Sequence, residues 1–109
     1  MTRLCALDEI PDGATRAFTV ATADGPLDLF VLRRGARIAA YENTCPHLGT
    51  PLDWAPDRFL SEDASHIVCA THGARFRLED GHCYFGPCAG EALRALPARL
   101  EDGAVVLAI

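Results

Sequence analysis

Leu27-Asp28-Leu29-Phe30-Val31-Leu32-Arg33-Arg34-Gly35-Ala36-Arg37-Ile38-Ala39-Ala40-Tyr41 reads as two strands joined by a tight turn. Apolar residues, several of them β-branched or aromatic, fill both arms, and Gly35 supplies the positive φ that a short hairpin needs. The same punctuation recurs outward from this point. Asp24-Gly25-Pro26 lies before it and Glu79-Asp80-Gly81 after it, and Gly, Pro, Asp or Asn interrupts short apolar runs every eight to twelve residues. The rhythm predicts an all-β chain with strands near 3–6, 14–21, 27–33, 37–41, 66–68, 75–78, 82–84, 93–99 and 104–109. Helical turns are expected only at 57–63 and 90–95, because no 3.6-residue apolar period runs through the chain.

Length and composition narrow the classes. The 109 residues fit one domain spanning 1–109. Ten arginines and no lysine stand against fifteen acidic residues, a net charge of −5 that disfavours non-specific binding to nucleic acid. No apolar run approaches the roughly 20 residues needed to span a bilayer, and the first residues lack a secretory pattern, so a cytoplasmic protein without membrane contact is expected. Five cysteines in a reducing compartment point to metal chemistry before crosslinks.

Two non-strand segments, 42–65 and the stretch after Phe85, are long for so small a chain, and such loops usually carry function. The first contains Cys45-Pro46-His47, and Cys69-Ala70-Thr71-His72 follows it at the end of a short strand. Each motif offers one soft thiolate and one imidazole. Two irons can share these four ligands with both thiolates on one and both imidazoles on the other. A tetrahedral Cys2His2 zinc site uses the same residue types, but zinc sites more often pair cysteine with cysteine at close spacing. A cysteine–histidine nucleophile pair would account for only two of the four residues.

At these residues the sequence resembles the Rieske ferredoxin family, whose C-x-H and C-x-x-H motifs match Cys45, His47, Cys69 and His72. Asn43-Thr44, Leu48-Gly49, Gly73-Ala74-Arg75-Phe76 and Gly86-Pro87 extend the likeness over most of the chain. The resemblance implies an antiparallel β sandwich with a small cluster-binding subdomain. Ligand loops at about 43–50 and 69–76, and a covering loop at about 85–90, would hold one 2Fe-2S cluster. It also implies a role: a soluble carrier of single electrons between a reductase, flavin-containing by analogy, and a terminal oxygenase or other redox enzyme, with no catalytic residues of its own. A fixed small subunit of a larger reductase, such as nitrite reductase, and a zinc-stabilised binding module are the alternatives. No Gly-rich dinucleotide unit or mononuclear iron triad is visible.

The chain departs from the family in two respects. Residues 48–68 put twenty-one positions between His47 and Cys69, more than is usual, with the excess around 53–64. In high-potential relatives a disulfide joins the ligand loops and hydroxyls donate to the cluster sulfurs. Here Thr50 and Thr71 replace the bridging cysteines, Ala74 the serine and Phe76 the tyrosine, which predicts a low potential. The outer nitrogens of His47 and His72 would titrate, so the potential should fall as pH rises through their pKa values.

Other residues have plainer readings. His66 and His82 are read as polar strand residues and Cys5 as a small core residue. Cys83 and Cys88 are close enough in sequence for a disulfide, although free thiols packed near the cluster are expected. Trp54, Pro56 and Phe59 are read as the apolar anchor of the long loop rather than a partner-facing patch. Phe76 and Leu78, alternating with Arg75 and Arg77, suit a half-buried strand.

Overall fold

The hairpin read from 27–41 forms β3 (Gly25–Arg34) and β4 (Arg37–Glu42), with Arg34 opposite Arg37 and Gly35 at φ 63° in the turn. The structure is a computed structural model that describes residues 2–46, 52–53, 57–61, 63–69 and 73–108. β2 (Thr15–Thr22) pairs with the outer edge of β3 and β8 (Ala95–Leu96) with that of β4, giving an antiparallel sheet ordered β2-β3-β4-β8. A second antiparallel sheet is ordered β1-β10-β9, from β1 (Thr2–Ala6), β10 (Ala104–Leu107) and β9 (Ala98–Glu101). The third joins β5 (Ile67–Val68), β6 (Arg75–Phe76) and β7 (Cys83–Phe85) in chain order.

The unbroken apolar run in β3 has a direct cause: both faces of its sheet are covered. Successive side chains point to opposite faces of a strand. Leu29 and Val31 therefore meet Cys5, Val105 and Leu107 of the β1-β10-β9 sheet, forming the core of a β sandwich. Phe30 and Leu32 point the other way, into a second core with Phe59, Ile67, Phe76 and Leu78. That second core seats the small third sheet and its loops against the sandwich.

The strand expected over 93–99 is two strands instead. Pro97 has no N–H to donate to a ladder. The chain changes sheets there, β8 pairing with β4 before it and β9 with β10 after it, while the Pro97 carbonyl accepts from Ala108 N–H at 2.8 Å. The helical turns expected at 57–63 and 90–95 are also absent among the described residues. One 3-10 turn occurs at Leu7–Glu9, where the Glu9 carboxylate accepts from Ala6 N–H at 3.1 Å and the Leu7 carbonyl from Ile10 N–H at 3.0 Å. No helix among the described residues is long and apolar enough to cross a membrane.

Candidate iron–sulfur site

Cys45 and Cys69 converge from segments twenty-four positions apart, and both lie in the second core, 0% and 1% exposed. Their companions His47 and His72 lie outside the described residues, as do Thr50 and Thr71. What the structure does give is how each loop is closed at its base. In the first loop the Asn43 side chain spans the opening: its Oδ1 accepts from Leu52 N–H at 2.8 Å and its Nδ2 donates to Asp53 Oδ1 at 3.2 Å. Asn43 is itself held to the sandwich by its backbone N–H, which donates to the Asp28 carbonyl at 2.9 Å.

The second loop is closed by its own backbone. Cys69 N–H donates to the Ala74 carbonyl and Gly73 N–H to the Cys69 carbonyl, both at 2.9 Å. Gly73 adopts φ 68°, a conformation costly for residues with a Cβ. From Ala74 the chain runs directly into β6 and the buried Phe76, with Arg75 exposed, as the alternation predicted. Ala74 and Phe76 are fully buried in the same core as the two cysteines, so neither position brings a hydroxyl to the site.

The Gly86-Pro87 loop covers this region. A Cβ on Gly86 would sit 2.8 Å from Ala74 Cα, so only glycine permits the loop to approach the backbone at Ala74 this closely. The loop also carries Cys88, buried with Cys83 and Cys45 in one core. Cys88 Sγ is 3.1 Å from Cys83 Sγ. Burial first, and then Cys83 and Cys45, push the Cys88 thiol well above its usual range. None of the five cysteines forms a disulfide. The expectation of free thiols at Cys83 and Cys88 and of a core Cys5 is met, and Cys83 and Cys88 share one core with Cys45 and Cys69.

The long segment before Cys69 is anchored rather than loose. Phe59 is fully buried and stacks on Phe30, ring centroids 4.1 Å apart and planes 11° from parallel. Asp57 holds it to β2: the Thr15 hydroxyl donates to its carbonyl and Ala17 N–H to its Oδ1, both at 2.7 Å. Trp54 and Pro56 lie outside the described residues. His66 is partly buried at the start of the third sheet, with Nδ1 2.9 Å from the Ser65 hydroxyl, and His82 lies in an isolated bridge to Ala92. Among the described residues Tyr84 and Phe85 are the large hydrophobics left exposed, and the Arg75 guanidinium lies over the Phe85 ring, 4.9 Å from its centroid.

Two buried thiols in one apolar core, presented by loops closed at their bases, suit a soft metal centre. A sequence profile of the Rieske [2Fe-2S] domain matches residues 1–99, and the chain belongs to that family. A domain of this kind binds a 2Fe-2S cluster, which sets aside the zinc reading of the same donors. Among solved structures, the chain is similar to the ferredoxin of carbazole 1,9a-dioxygenase from Nocardioides aromaticivorans IC177. The two are 26% identical with a TM-score of 0.76, covering 98% of this chain and 95% of that one. It is also similar to the Sphingomonas yanoikuyae B1 ferredoxin, at 25% identity and a TM-score of 0.70 over 96% and 94% of the two chains. A chain in the complex of reduced oxygenase and oxidised ferredoxin of carbazole 1,9a-dioxygenase matches at 26% identity and a TM-score of 0.76, over 96% and 89%. No match is found among curated protein sequences.

Proposed function

We propose that this chain is a soluble one-domain ferredoxin that holds its cluster on Cys45, His47, Cys69 and His72. It carries single electrons from a reductase, flavin-containing by analogy, to a terminal oxygenase. The observation that carries the reading is the likeness to two ferredoxins along nearly the whole of their own lengths. The neighbour solved as an oxygenase–ferredoxin complex supports an oxygenase as the receiving partner. A radius of gyration of 13.1 Å, that of a single domain of about 100 residues, supports one unit over 1–109.

When bound, the cluster takes up one electron and gives it back, and the protein supplies the setting. Cys45 and Cys69 lie in a dry core that keeps water from the sulfurs, while the Asn43 bridge and the Cys69–Ala74 pair fix the loop bases that carry the ligands. The ligand loops offer no hydroxyl at Ala74 or Phe76, which supports a potential at the low end of the Rieske range.

The test is anaerobic titration of the purified holoprotein with dithionite, followed by mixing with a flavoprotein reductase and a Rieske-type ring oxygenase. One electron per chain, oxidation of the reduced protein by the oxygenase, and purification free of a catalytic subunit are expected. A constant 1:1 copurification with a larger reductase would overturn the carrier reading in favour of a fixed subunit. A potential well above zero would contradict the low-potential assignment.

A further inference from the structure

Cys83 and Cys88 are thiols that electron carriage leaves without a task, and the structure sets their sulfurs 3.1 Å apart. Both are buried and both are free. A disulfide bond is about 2 Å long, so these sulfurs have only about 1 Å to close. Cys5, the other cysteine outside the ligand motifs, lies in the opposite core and does not compete for either of them. Nor does a further metal site account for the pair, since no three Cys, His, Asp or Glu side chains among the described residues are grouped to hold an ion.

Backbone hydrogen bonds hold the pair together from both sides. Cys83 N–H donates to the Glu91 carbonyl at 2.8 Å and Gly90 N–H to the Cys83 carbonyl at 3.1 Å, which ties the end of the loop to β7. Ala89 N–H donates to the Gly86 carbonyl at 3.1 Å and Glu91 N–H to the Cys88 carbonyl at 2.9 Å, two successive turns that carry Cys88 back to Cys83. Around Cys88 the loop faces solvent: Gly86, Pro87, Ala89 and Gly90 are all exposed. Opening of this short segment alone uncovers the Cys88 sulfur and leaves the sheets in place.

We propose that Cys83 and Cys88 are a reversible dithiol–disulfide pair, oxidised by a low-molecular-weight disulfide of the glutathione class, whose bond staples the covering loop to β7. One cysteine, as its thiolate, attacks the small disulfide; that S–S bond breaks, a mixed disulfide forms and one small thiol leaves. The second cysteine attacks the mixed disulfide, the Cys83–Cys88 bond forms and the other small thiol leaves. The protein gives up two electrons and two protons, and both end on the released thiols. Gly86 touches the backbone at Ala74, whose carbonyl accepts from Cys69 N–H, so the staple fastens the cover beside the second ligand loop.

The holoprotein is incubated anaerobically with excess oxidised glutathione, blocked with iodoacetamide in denaturant and digested with trypsin. Cleavage after Arg77 and Arg94 releases 78–94, which contains Cys83 and Cys88 and no other cysteine. That peptide should lose both alkylation sites and weigh two hydrogens less than its reduced form, and dithiothreitol should restore both sites. Alkylation of both cysteines after oxidation, glutathione adducts in place of the bridge, or a bridge from either one to another cysteine would overturn the proposal.

Amide hydrogen exchange reads the staple itself. The N–H groups of Ala89, Gly90 and Glu91 should exchange about tenfold more slowly in the oxidised protein than in the reduced one, and glutathione should change none of them in Cys88→Ala. Equal rates in the two wild-type forms, or the same slowing in Cys88→Ala, would overturn the proposal. Should Cys88→Ala fail to fold, the wild-type peptide and exchange rates decide alone. Absence of a cluster in the wild type would defeat the ferredoxin reading, and the peptide 78–94 would still decide this one.

Discussion

Asn43 shows how one side chain closes the base of the segment that carries Cys45. Its Oδ1 takes the N–H of the fully buried Leu52, a donor that water cannot reach. Asn43→Ala leaves that donor unpaired at a cost of about 1–3 kcal/mol. Chemical denaturation should show this loss in the holoprotein, together with faster release of iron to a chelator. A retained midpoint and unchanged release would mean that the first loop is closed by something else. At this scale the sequence singles out Cys45 and Cys69, because a thiolate and an imidazole two or three positions apart have few other uses, and the structure puts both in one buried core. It was not readable for Asn43, whose hold on the Leu52 N–H nine positions away exists only after folding.

Among the elements, β3 was the most legible because its apolar run is continuous and its turns carry glycine. The pattern announced a strand without saying that opposite faces of Phe30 and Val31 serve two different cores. The division of 93–99 at Pro97 was legible in principle, since proline interrupts ladders, but which sheet each half joins depends on partners far along the chain. The extended segment before Cys69 is tied to the middle sheet by the stacking of Phe59 on Phe30. Phe59→Ala removes a fully buried ring from the core that also holds Cys45 and Cys69, and should cost about 3–5 kcal/mol. Denaturant unfolding of the holoprotein measures that loss, and a change under about 1 kcal/mol would show that the segment is a surface excursion with no bearing on the core.

As a whole, the molecule stacks three layers: the β1-β10-β9 sheet, the two-faced middle sheet, and the small third sheet with its three loops. The sandwich gives the third layer a rigid base, and the second core unites the loops with that base. On the proposed function, two sulfurs and two imidazoles meet there on a pair of irons. Pulsed electron paramagnetic resonance of the dithionite-reduced protein tests it most directly by counting nitrogens strongly coupled to the cluster. Two such nitrogens are predicted, lost on replacing His47 or His72 by alanine and kept on replacing His66. A cluster with no coupled nitrogen, or one that loses its coupling equally with His66, would contradict the account.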